Sequence, residues 1–318
     1  MEIVRGDASN LTEIVELLRI SLGEKLMPKS EAFFHWKHFQ NPFGESVIWL
    51  AKEGERLVGV RAFMNWQWMN EENTYTAVRA VDTATHPDFQ GKGIFSQLTM
   101  KAVETCKDNN IGFVFNSPNK ISIKGYLKLG WQSNGKMPIA VKPVIKNLFK
   151  KKYYSSEELY HEYAVAKAIS TLEDTWKLIQ EGPAYNTPLS KSYLSWRYRD
   201  CPVTKYGAII KPGLFGIVFR FKKHDRWMEC RITEVWLEDE TATDELQKSM
   251  NEIIKKSGVL LVSCAPQVSK KGKLILTGFW GPYAIGPEIT LRTLATDNLY
   301  NFNGFLRWTP SIGSMELF

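Results

Sequence analysis

One short stretch, Gln90-Gly91-Lys92-Gly93, constrains the fold of this 318-residue chain more than any other. The residues before it, 75–85, are rich in β-branched side chains and alternate in polarity, which predicts a strand. Apolar residues after it recur at helical spacing and predict a helix that begins near Gly91: Ile94, Phe95, Leu98 and Ala102. A strand, a glycine-rich turn and a helix leave the first N–H groups of the helix without partners inside it. Together with the helix dipole and the charge of Lys92, these donors predict a phosphate or pyrophosphate site.

This stretch resembles the acetyl-CoA signature of the GNAT superfamily of N-acetyltransferases, usually written Gln/Arg-x-x-Gly-x-Gly/Ala. Gln90 and Gly93 match it, whereas Phe95 stands at its last place and either narrows the groove or packs under the helix. The resemblance implies that CoA is bound by the end of the strand and by the turn, through Thr83, Ala84, Thr85, Gln90, Gly91, Lys92, Gly93, Ile94 and Phe95. Taken alone, a glycine-rich turn can also be purely structural.

A second signature follows one helix and one strand later. Residues 111–115 predict a short buried strand, and the run Asn119-x-x-Ser122-x-x-x-Tyr126-x-x-x-Gly130-Trp131 comes after it. This run resembles the helix and turn after the fifth strand of GNAT domains. The resemblance implies that Asn119 contacts the CoA arm and that the Tyr126 hydroxyl lies beside its sulfur. The residues themselves fit equally well two core aromatics around a glycine that ends a helix.

The resemblance implies a direct transfer, in which an amine attacks the acetyl thioester. Main-chain N–H groups around residues 83–85 would stabilise the charge on the carbonyl oxygen, and Tyr126 would donate a proton to the departing thiolate. Two interpretations of Asp82 stay open, a general base on the strand that lines the family's active site or a carboxylate paired with Arg79 for structural reasons. Arg79 is also a candidate to hold an anionic group of the acceptor, and water alone can serve as the base.

The first half of the chain predicts a strand, two helices, three antiparallel strands, a helix, a strand, a helix and a strand. This order is the GNAT arrangement, so we expect an α/β (α+β) fold with a mixed, mostly antiparallel sheet flanked by helices. The first domain, with the CoA site, is predicted over residues 1–142. His35 and His38, three residues apart around Trp36, are interpreted as residues on a helix surface.

An internal comparison indicates that this fold is repeated. Trp36 and Trp196 are each followed by a basic residue and, six residues on, by a proline. Residues 113–119 likewise match 260–267. We therefore predict a linker over 143–175 and a second, degenerate GNAT-like domain over 176–318, with chance similarity of two α/β halves as the alternative. The loop 237–246 has five carboxylates and no glycine, so the second domain is predicted to bind no CoA and to wall off the acceptor pocket or build an interface.

Composition excludes several other classes of protein. The apolar content of 44% and the charged content of 24% are those of ordinary globular chains, and the length favours two domains. A net charge of +7 fits an enzyme that binds anionic CoA, and no basic block has the aromatic interleaving of a nucleic-acid platform. The four cysteines and five histidines lack ligand spacing, so neither a metal site nor disulfides are expected. Without a signal peptide or a membrane-spanning run, a cytoplasmic protein is expected, with its oligomeric state open.

These observations predict an acetyl-CoA-dependent N-acetyltransferase that acts on a primary amine of a small molecule. Amino sugars, polyamines and peptide amines stay open as acceptors, as do acyl chains longer than acetyl. The alternatives are an aminoacyl-transferase built from two GNAT folds with a tRNA-borne donor, a non-catalytic CoA-binding module, and an interaction protein whose second domain recruits a partner. Residues 90–93 with Asn119 and Tyr126 favour acetyl-CoA.

Overall fold

A computed structural model describes residues 1–23, 28–70, 73–149, 153–178, 184–269, 271, 273–295 and 304–316. The strands are β1 Glu2–Arg5, β2 Val47–Glu53, β3 Arg56–Asn70, β4 Asn73–Thr85, β5 Phe113–Asn116, β6 Gln132–Lys136, β7 Ile139–Pro143, β8 Gly207–Lys211, β9 Phe215–Lys223, β10 Met228–Leu237, β11 Leu261–Cys264, β12 Trp280–Tyr283 and β13 Glu288–Thr293. The helices are α1 Leu11–Leu22, α2 Glu31–Phe39, α3 Ile94–Asp108, α4 Ile123–Lys128, α5 Ser156–Glu162, α6 Val165–Ser170, α7 Lys191–Leu194, α8 Thr243–Ser257 and α9 Ile312–Met315.

These strands form two mixed, mostly antiparallel sheets flanked by helices, which confirms the predicted fold class. The first sheet has the order β1-β2-β3-β4-β5-β13-β6, and the second has the order β12-β7-β11-β10-β9-β8. Only two neighbouring pairs among these strands are parallel, β4 with β5 and β10 with β11. Each parallel pair is joined by a long helix, α3 or α8, because parallel neighbours need a crossover connection.

Two pairs of helices cover the two faces of the first sheet. Ser30 begins α2 as predicted, since its side chain accepts a hydrogen bond from the Phe33 N–H at 3.2 Å. The apolar face of α1 packs with Val60 and Ala62 of β3, whereas Phe63 packs with residues of α3 and α4 on the opposite face. The alternation of side chains along β3 therefore separates an α1/α2 face from an α3/α4 face.

The second half of the chain repeats the topology of the first. The order β8, β9, β10, α8, β11 matches β2, β3, β4, α3, β5. The two tryptophans matched by the internal comparison meet: Trp36 and Trp196 stack with ring centroids 4.9 Å apart. Each indole N–H donates to the other residue's carbonyl oxygen, at 2.7 and 2.9 Å. This reciprocal contact is what an approximate twofold relation between the repeats produces.

The repeats also exchange strands. Strand β7 leaves the first half and pairs with β11 in the second sheet, and β13 leaves the second half and pairs with β5 in the first sheet. The two sheets therefore do not divide at residue 142, and each half completes the sheet of the other. The bounds 1–142, 143–175 and 176–318 stay a prediction. Within the described ranges, no helix is long and apolar enough to span a bilayer.

Candidate functional site

The glycine-rich turn forms an exposed loop between β4 and α3. Gly91 and Gly93 have φ angles of 78° and 76°, in the left-handed region that favours glycine. The first bond of α3 runs from the Gln97 N–H to the Gly93 carbonyl at 3.1 Å, so the amides just before Gln97 point out of the helix. A Cβ added at Gly91 would meet no described atom within 4 Å. The turn therefore offers open donors with room for an anion, which fits a diphosphate.

Beyond Arg79, strands β4 and β5 separate. Their parallel pairing covers only Ala77–Arg79 with Phe113–Phe115, while β4 stays paired with β3 as far as Thr85. The His86 N–H bonds to the Val58 carbonyl on the β3 side. Since alternate residues of an antiparallel strand face opposite neighbours, the amides of Thr83 and Thr85 face the open side. The predicted donors at 83–85 thus border a gap between the two strands.

Tyr126 is buried on the α3/α4 face of the sheet. Its hydroxyl oxygen accepts a hydrogen bond from Nη2 of Arg61 at 2.6 Å. The Phe95 ring meets it edge to face with centroids 5.5 Å apart, and a Cβ on Gly125 would lie 3.1 Å from the Phe95 ring. The Phe95 ring therefore lies between α3 and α4, and both alternatives, a narrowed groove and packing under the helix, stay predictions. Because Arg61 donates to the oxygen, the hydroxyl hydrogen of Tyr126 is left for another acceptor.

Arg61 is a member of this site that sequence reasoning missed. It is fully buried, and its guanidinium carbon lies 4.9 to 5.4 Å from the ring centroids of Phe63, Phe95 and Tyr126. Two of its nitrogens, Nε and Nη1, have no hydrogen-bond partner among the described residues. A buried cation without a carboxylate is costly, and here three aromatic rings and the Tyr126 hydroxyl surround it. An arginine in the middle of a predicted strand carries no signal in one sequence.

Asn119 caps its own turn. Its side-chain oxygen accepts the N–H groups of Ile121 and Ser122 at 3.0 and 2.8 Å, just before α4. The contact of Asn119 with the CoA arm stays a prediction, as do the roles of the other motif residues.

Asp82 lies on the opposite, α1/α2 face, as the extra residue of a bulge in β4. Its φ of 29° is strained for a residue with a side chain. One carboxylate oxygen accepts from Lys37 at 2.7 Å and from His38 at 2.8 Å. Asp82 is thus held by α2, and the interpretation that pairs it with Arg79 is wrong. The placement of His38 on a helix surface is also wrong, because His38 is fully buried between Asp82 and Ser46.

The charge state of Asp82 follows from these neighbours. Burial alone would raise its pKa, but the Lys37 ammonium, together with the hydrogen bond of His38, outweighs burial and holds the pKa well below its usual range. Burial also lowers the pKa of His38, against the influence of Asp82. A neutral His38 ring therefore donates from Nε2 to the carboxylate and accepts from Ser46 at Nδ1.

Arg79 is committed to the carboxy-terminal segment rather than to an open site. Its guanidinium donates to the carbonyl oxygens of Ser314 and Met315 and to Oγ of Ser117. Burial, and secondarily the charge of Arg197, lowers the pKa of Arg79 to about 9. Arg79 therefore joins β4, the end of β5 and the residues of α9.

A cavity of about 720 Å³ lies between the two sheets beside this junction. On the first sheet it is lined by 79–82 of β4 together with Lys37 and Ser117. The remaining wall comes from β7, β9, β10, β11 and the carboxy-terminal segment and includes Val141, Lys222, His224, Trp227, Glu229, Arg231, Leu261, Ser263, Ile312, Met315 and Glu316. Asp82 thus faces the cavity, whereas Tyr126 does not line it. The sheet, with its gap between β4 and β5, stands between the two predicted catalytic residues.

The second sheet has its own buried carboxylate, which sequence reasoning also missed. Glu234 follows a bulge in β10 and accepts hydrogen bonds from Tyr198 at 2.7 Å and Ser311 at 2.6 Å. Burial raises its pKa to about 7 despite these bonds. The turn between β10 and α8 is closed by its own carboxylate, because Asp239 accepts the Thr241 N–H at 2.8 Å.

Comparison with known proteins finds a family model that matches part of the chain. Residues 2–133 match the family model described as an acetyltransferase (GNAT) domain. The match covers the amino-terminal part of the chain, which includes the glycine-rich turn and Tyr126. This match supports acyl or acetyl transfer as a general activity, and no curated protein matches the sequence.

Solved structures with the same fold extend this likeness across both GNAT-like units. A probable N-acyltransferase from Enterococcus faecalis V583 has a TM-score of 0.61 at 10% identity, over 92% of this chain and 72% of its own. A GCN5-related N-acetyltransferase from Anabaena variabilis has a TM-score of 0.61 at 9% identity, over 92% and 73%. Eis1 from Mycobacterium abscessus has a TM-score of 0.56 at 10% identity, over 92% and 74%. At these identities the likeness concerns the fold alone.

Proposed function

We propose that the protein is an acetyl-CoA-dependent N-acetyltransferase that acetylates a primary amine of a small molecule. The observation that carries the proposal is the gap between β4 and β5 beyond Arg79. An open glycine turn lies at the α3 end of this gap, and a large cavity lies on the other side of the sheet. Cosubstrate and acceptor can therefore approach the gap from opposite faces.

The residues at the turn fit the cosubstrate. Bound acetyl-CoA supplies an activated acetyl thioester. The amides of residues 91–95 would hold its diphosphate, with Gln90 and Lys92 at the edge of the site. Ile94 and Phe95 would fix the start of α3 by packing, and Asn119 would contact the pantetheine arm. The amides of Thr83 and Thr85 face the gap beside Ala84 and would donate to the carbonyl oxygen, where one such donor contributes about 3 kcal/mol.

Tyr126 moves the proton in this proposal. Its oxygen is fixed by Arg61, so its O–H hydrogen is available to the departing thiolate. As that hydrogen leaves, the Arg61 guanidinium stabilises the charge on the oxygen. A positioned acid of this kind accelerates transfer by on the order of 10² to 10⁴.

Asp82 is not assigned the role of general base that its place in the strand suggested. A carboxylate whose pKa is held well below its usual range is a weak base at neutral pH. We therefore assign Asp82 to hydrogen bonding with the acceptor's nitrogen at the cavity wall, and assign removal of the amine's proton to water.

The test is turnover of acetyl-CoA with a panel of small amines, followed as free thiol and by mass of the acetylated product. We expect product with at least one panel amine. Tight binding of acetyl-CoA without thiol release would favour a non-catalytic CoA-binding module. Binding of aminoacyl-tRNA that weakens steeply with salt, without acetyl transfer, would favour the aminoacyl-transferase.

A further inference from the structure

The cavity between the sheets has a polarity gradient set by strand register. On the second sheet, Val141 of β7 lies opposite Ser263, and Ser263 lies opposite Arg231. In the next row, Leu261 lies opposite Glu229, and Glu229 lies opposite Lys222. The wall is therefore apolar on β7 and at Leu261 of β11, and becomes charged at β10 and β9.

The carboxylates of the cavity already have cationic partners. Asp82 is paired with Lys37, and Glu316 with Arg220 and Arg231. Glu229 accepts from Arg231, Ser263 and His224. Burial raises the pKa of Glu229, but the hydrogen bonds of Arg231 and Ser263 outweigh it and lower the pKa to about 2. These carboxylates are thus ionised, and each already has a cationic side chain of the protein as its partner.

Some of the cationic side chains that line the cavity have no carboxylate partner among the described residues. The described lining contains four cationic side chains, Lys37, Arg79, Lys222 and Arg231, and three carboxylates, Asp82, Glu229 and Glu316. Arg79 donates to neutral carbonyl and hydroxyl oxygens. Lys222 has no carboxylate within 4 Å among the described residues, although it stands directly opposite Glu229 in the register. Among the described residues, the lining cations without a carboxylate partner are therefore Arg79 at the β4 wall, which is bonded to carbonyl oxygens, and Lys222 at the β9 end. Low-dielectric walls strengthen the field of the Lys222 ammonium.

An aromatic surface adjoins this end of the cavity. Trp227 stacks on His224 with ring centroids 3.9 Å apart and an angle of 9° between the planes. His224 is in turn fixed by its bond to Glu229 at 3.0 Å. A flat, oriented indole in the same cavity as the Lys222 ammonium suits the body of a ligand whose end is negatively charged.

We infer that the acceptor is an amine that also carries an anionic group, a carboxylate or a phosphate, and that Lys222 binds this group while the amine faces Asp82 and the gap in the first sheet. This inference rests on the proposed function and narrows it. It disfavours polyamines, whose second cation would meet Lys222 and Arg231 instead of a free carboxylate.

The experiment uses matched acceptors that differ in the anionic group: ethylamine, β-alanine and 2-aminoethyl phosphate, with 1,3-diaminopropane as the cationic member. The readout is the ratio of kcat/KM for each charged acceptor to that for ethylamine. We expect this ratio to exceed one for the anionic acceptors and to fall on the order of tenfold in Lys222→Met, the loss of one hydrogen bond to a charged group. Preference for the carboxylate or for the phosphate identifies which anion the cavity selects.

Lys223→Met is the matched control, because Lys223 is the exposed neighbour on the same strand and does not line the cavity. It should keep the ratio of the unmodified protein. Lys222→Glu should reverse the preference toward the diamine. An unchanged ratio in Lys222→Met, or an equal fall in both methionine variants, would overturn the inference.

A binding measurement separates this inference from the proposed function. Calorimetric titration of the full chain with 2-aminoethyl phosphate should give heat that is lost in Lys222→Met and kept in Lys223→Met. If thiol release is absent with every amine but this pattern is seen, the anion site stands and the acetyl-transfer proposal falls. If acetyl transfer occurs but neither anionic acceptor binds or is preferred, the anion site falls alone.

Discussion

The two sheets carry the same strand–turn–helix unit with different turn chemistry. In the first, Gly91 and Gly93 take left-handed φ angles and no side chain caps α3. In the second, Asp239 caps the turn, and Asp244 and Glu245 occupy the first turn of α8. Both helices have 15 residues. The comparison teaches that packing preserves the unit, whereas a few turn residues decide whether its helix terminus is open to an anion or already satisfied by carboxylates.

The bulges in β4 and in β10, the corresponding strands of the two repeats, also differ in the surroundings of their carboxylates. Asp82 has an ammonium and an imidazole beside it, and its pKa lies well below the usual range. Glu234 is surrounded by hydroxyls, with burial raising its pKa to about 7. Two carboxylates at similar places in the repeats therefore differ in their tendency to ionise, because only Asp82 is bonded directly to a cation among the described residues.

The largest expected effect concerns α4, a helix of the first repeat that has no counterpart among the described residues of the second. Tyr126 lies on α4, and no helix is described between Cys264 and Trp280. Tyr126→Phe removes the hydroxyl that would donate to the leaving thiolate, so kcat should fall about 10³-fold with acetyl-CoA affinity unchanged. Stopped-assay thiol release and equilibrium binding measure the two quantities.

Tyr160→Phe is the control, since the Tyr160 hydroxyl lies far from the glycine-rich turn in sequence and accepts a hydrogen bond from the Phe221 N–H of β9. It should keep kcat. Full turnover in Tyr126→Phe would remove Tyr126 from the proposed chemistry.

The next effect tests the carboxylate of the first bulge. Asp82→Asn leaves Lys37 buried without its counter-ion, which should lower the free energy of unfolding by about 3 kcal/mol. Urea denaturation measures this change. Asp88→Asn, which weakens exposed contacts of this carboxylate with Arg56 and His86, should stay within about 0.5 kcal/mol. Equal effects of the two substitutions would mean that the Asp82 pair is no stronger than a surface contact.

Glu234, beside the bulge in β10, should make the protein less stable as the pH rises. This is opposite to the effect of Asp82, whose pKa is lowered by folding. The pKa of Glu234 is raised from 4.5 to about 7, so the folded state holds the proton more tightly than the unfolded state. Its contribution is therefore complete below about pH 4.5 and is lost as pH rises through 7, by roughly 2 to 3 kcal/mol between pH 5 and 8.

Glu234→Gln imitates the protonated carboxyl and should remove this part of the slope, making the variant the more stable protein at pH 8. The exposed Glu245→Gln should leave the slope unchanged. Thermal or urea unfolding at a series of pH values measures both. A slope that survives in Glu234→Gln would contradict the assignment.

The smallest effect compares two glycines with the same backbone strain. Gly91 and Gly213 have φ angles of 78° and 74°, and an added Cβ meets no described atom within 4 Å at either place. Alanine at each should cost about 1 kcal/mol of stability. Only Gly91→Ala should also weaken acetyl-CoA binding, by about tenfold, because its methyl group would occupy the ligand's side of the turn. Calorimetric titration measures this, and equal affinity in both variants would exclude the turn as the binding site.

The sequence supported the fold and the turn better than it supported the active-site partners. Periodicity and capping residues such as Ser30 act within a few positions, so elements and the repeat could be predicted from them. The strand exchange of β7 and β13 could not, because both strands carry the same local pattern whichever sheet receives them. The bonds from Lys37 and His38 to Asp82, and from Arg61 to Tyr126, join residues 44 to 65 positions apart, and one sequence holds no record of such contacts.

The most direct test is a crystal structure of the protein with CoA. The account predicts the diphosphate against the amides of residues 91–95, the sulfur near the Tyr126 hydroxyl, and no ligand at the turn between β10 and α8. A diphosphate bound at residues 238–246, or a groove between α3 and α4 that the Phe95 ring keeps closed to the ligand, would contradict it.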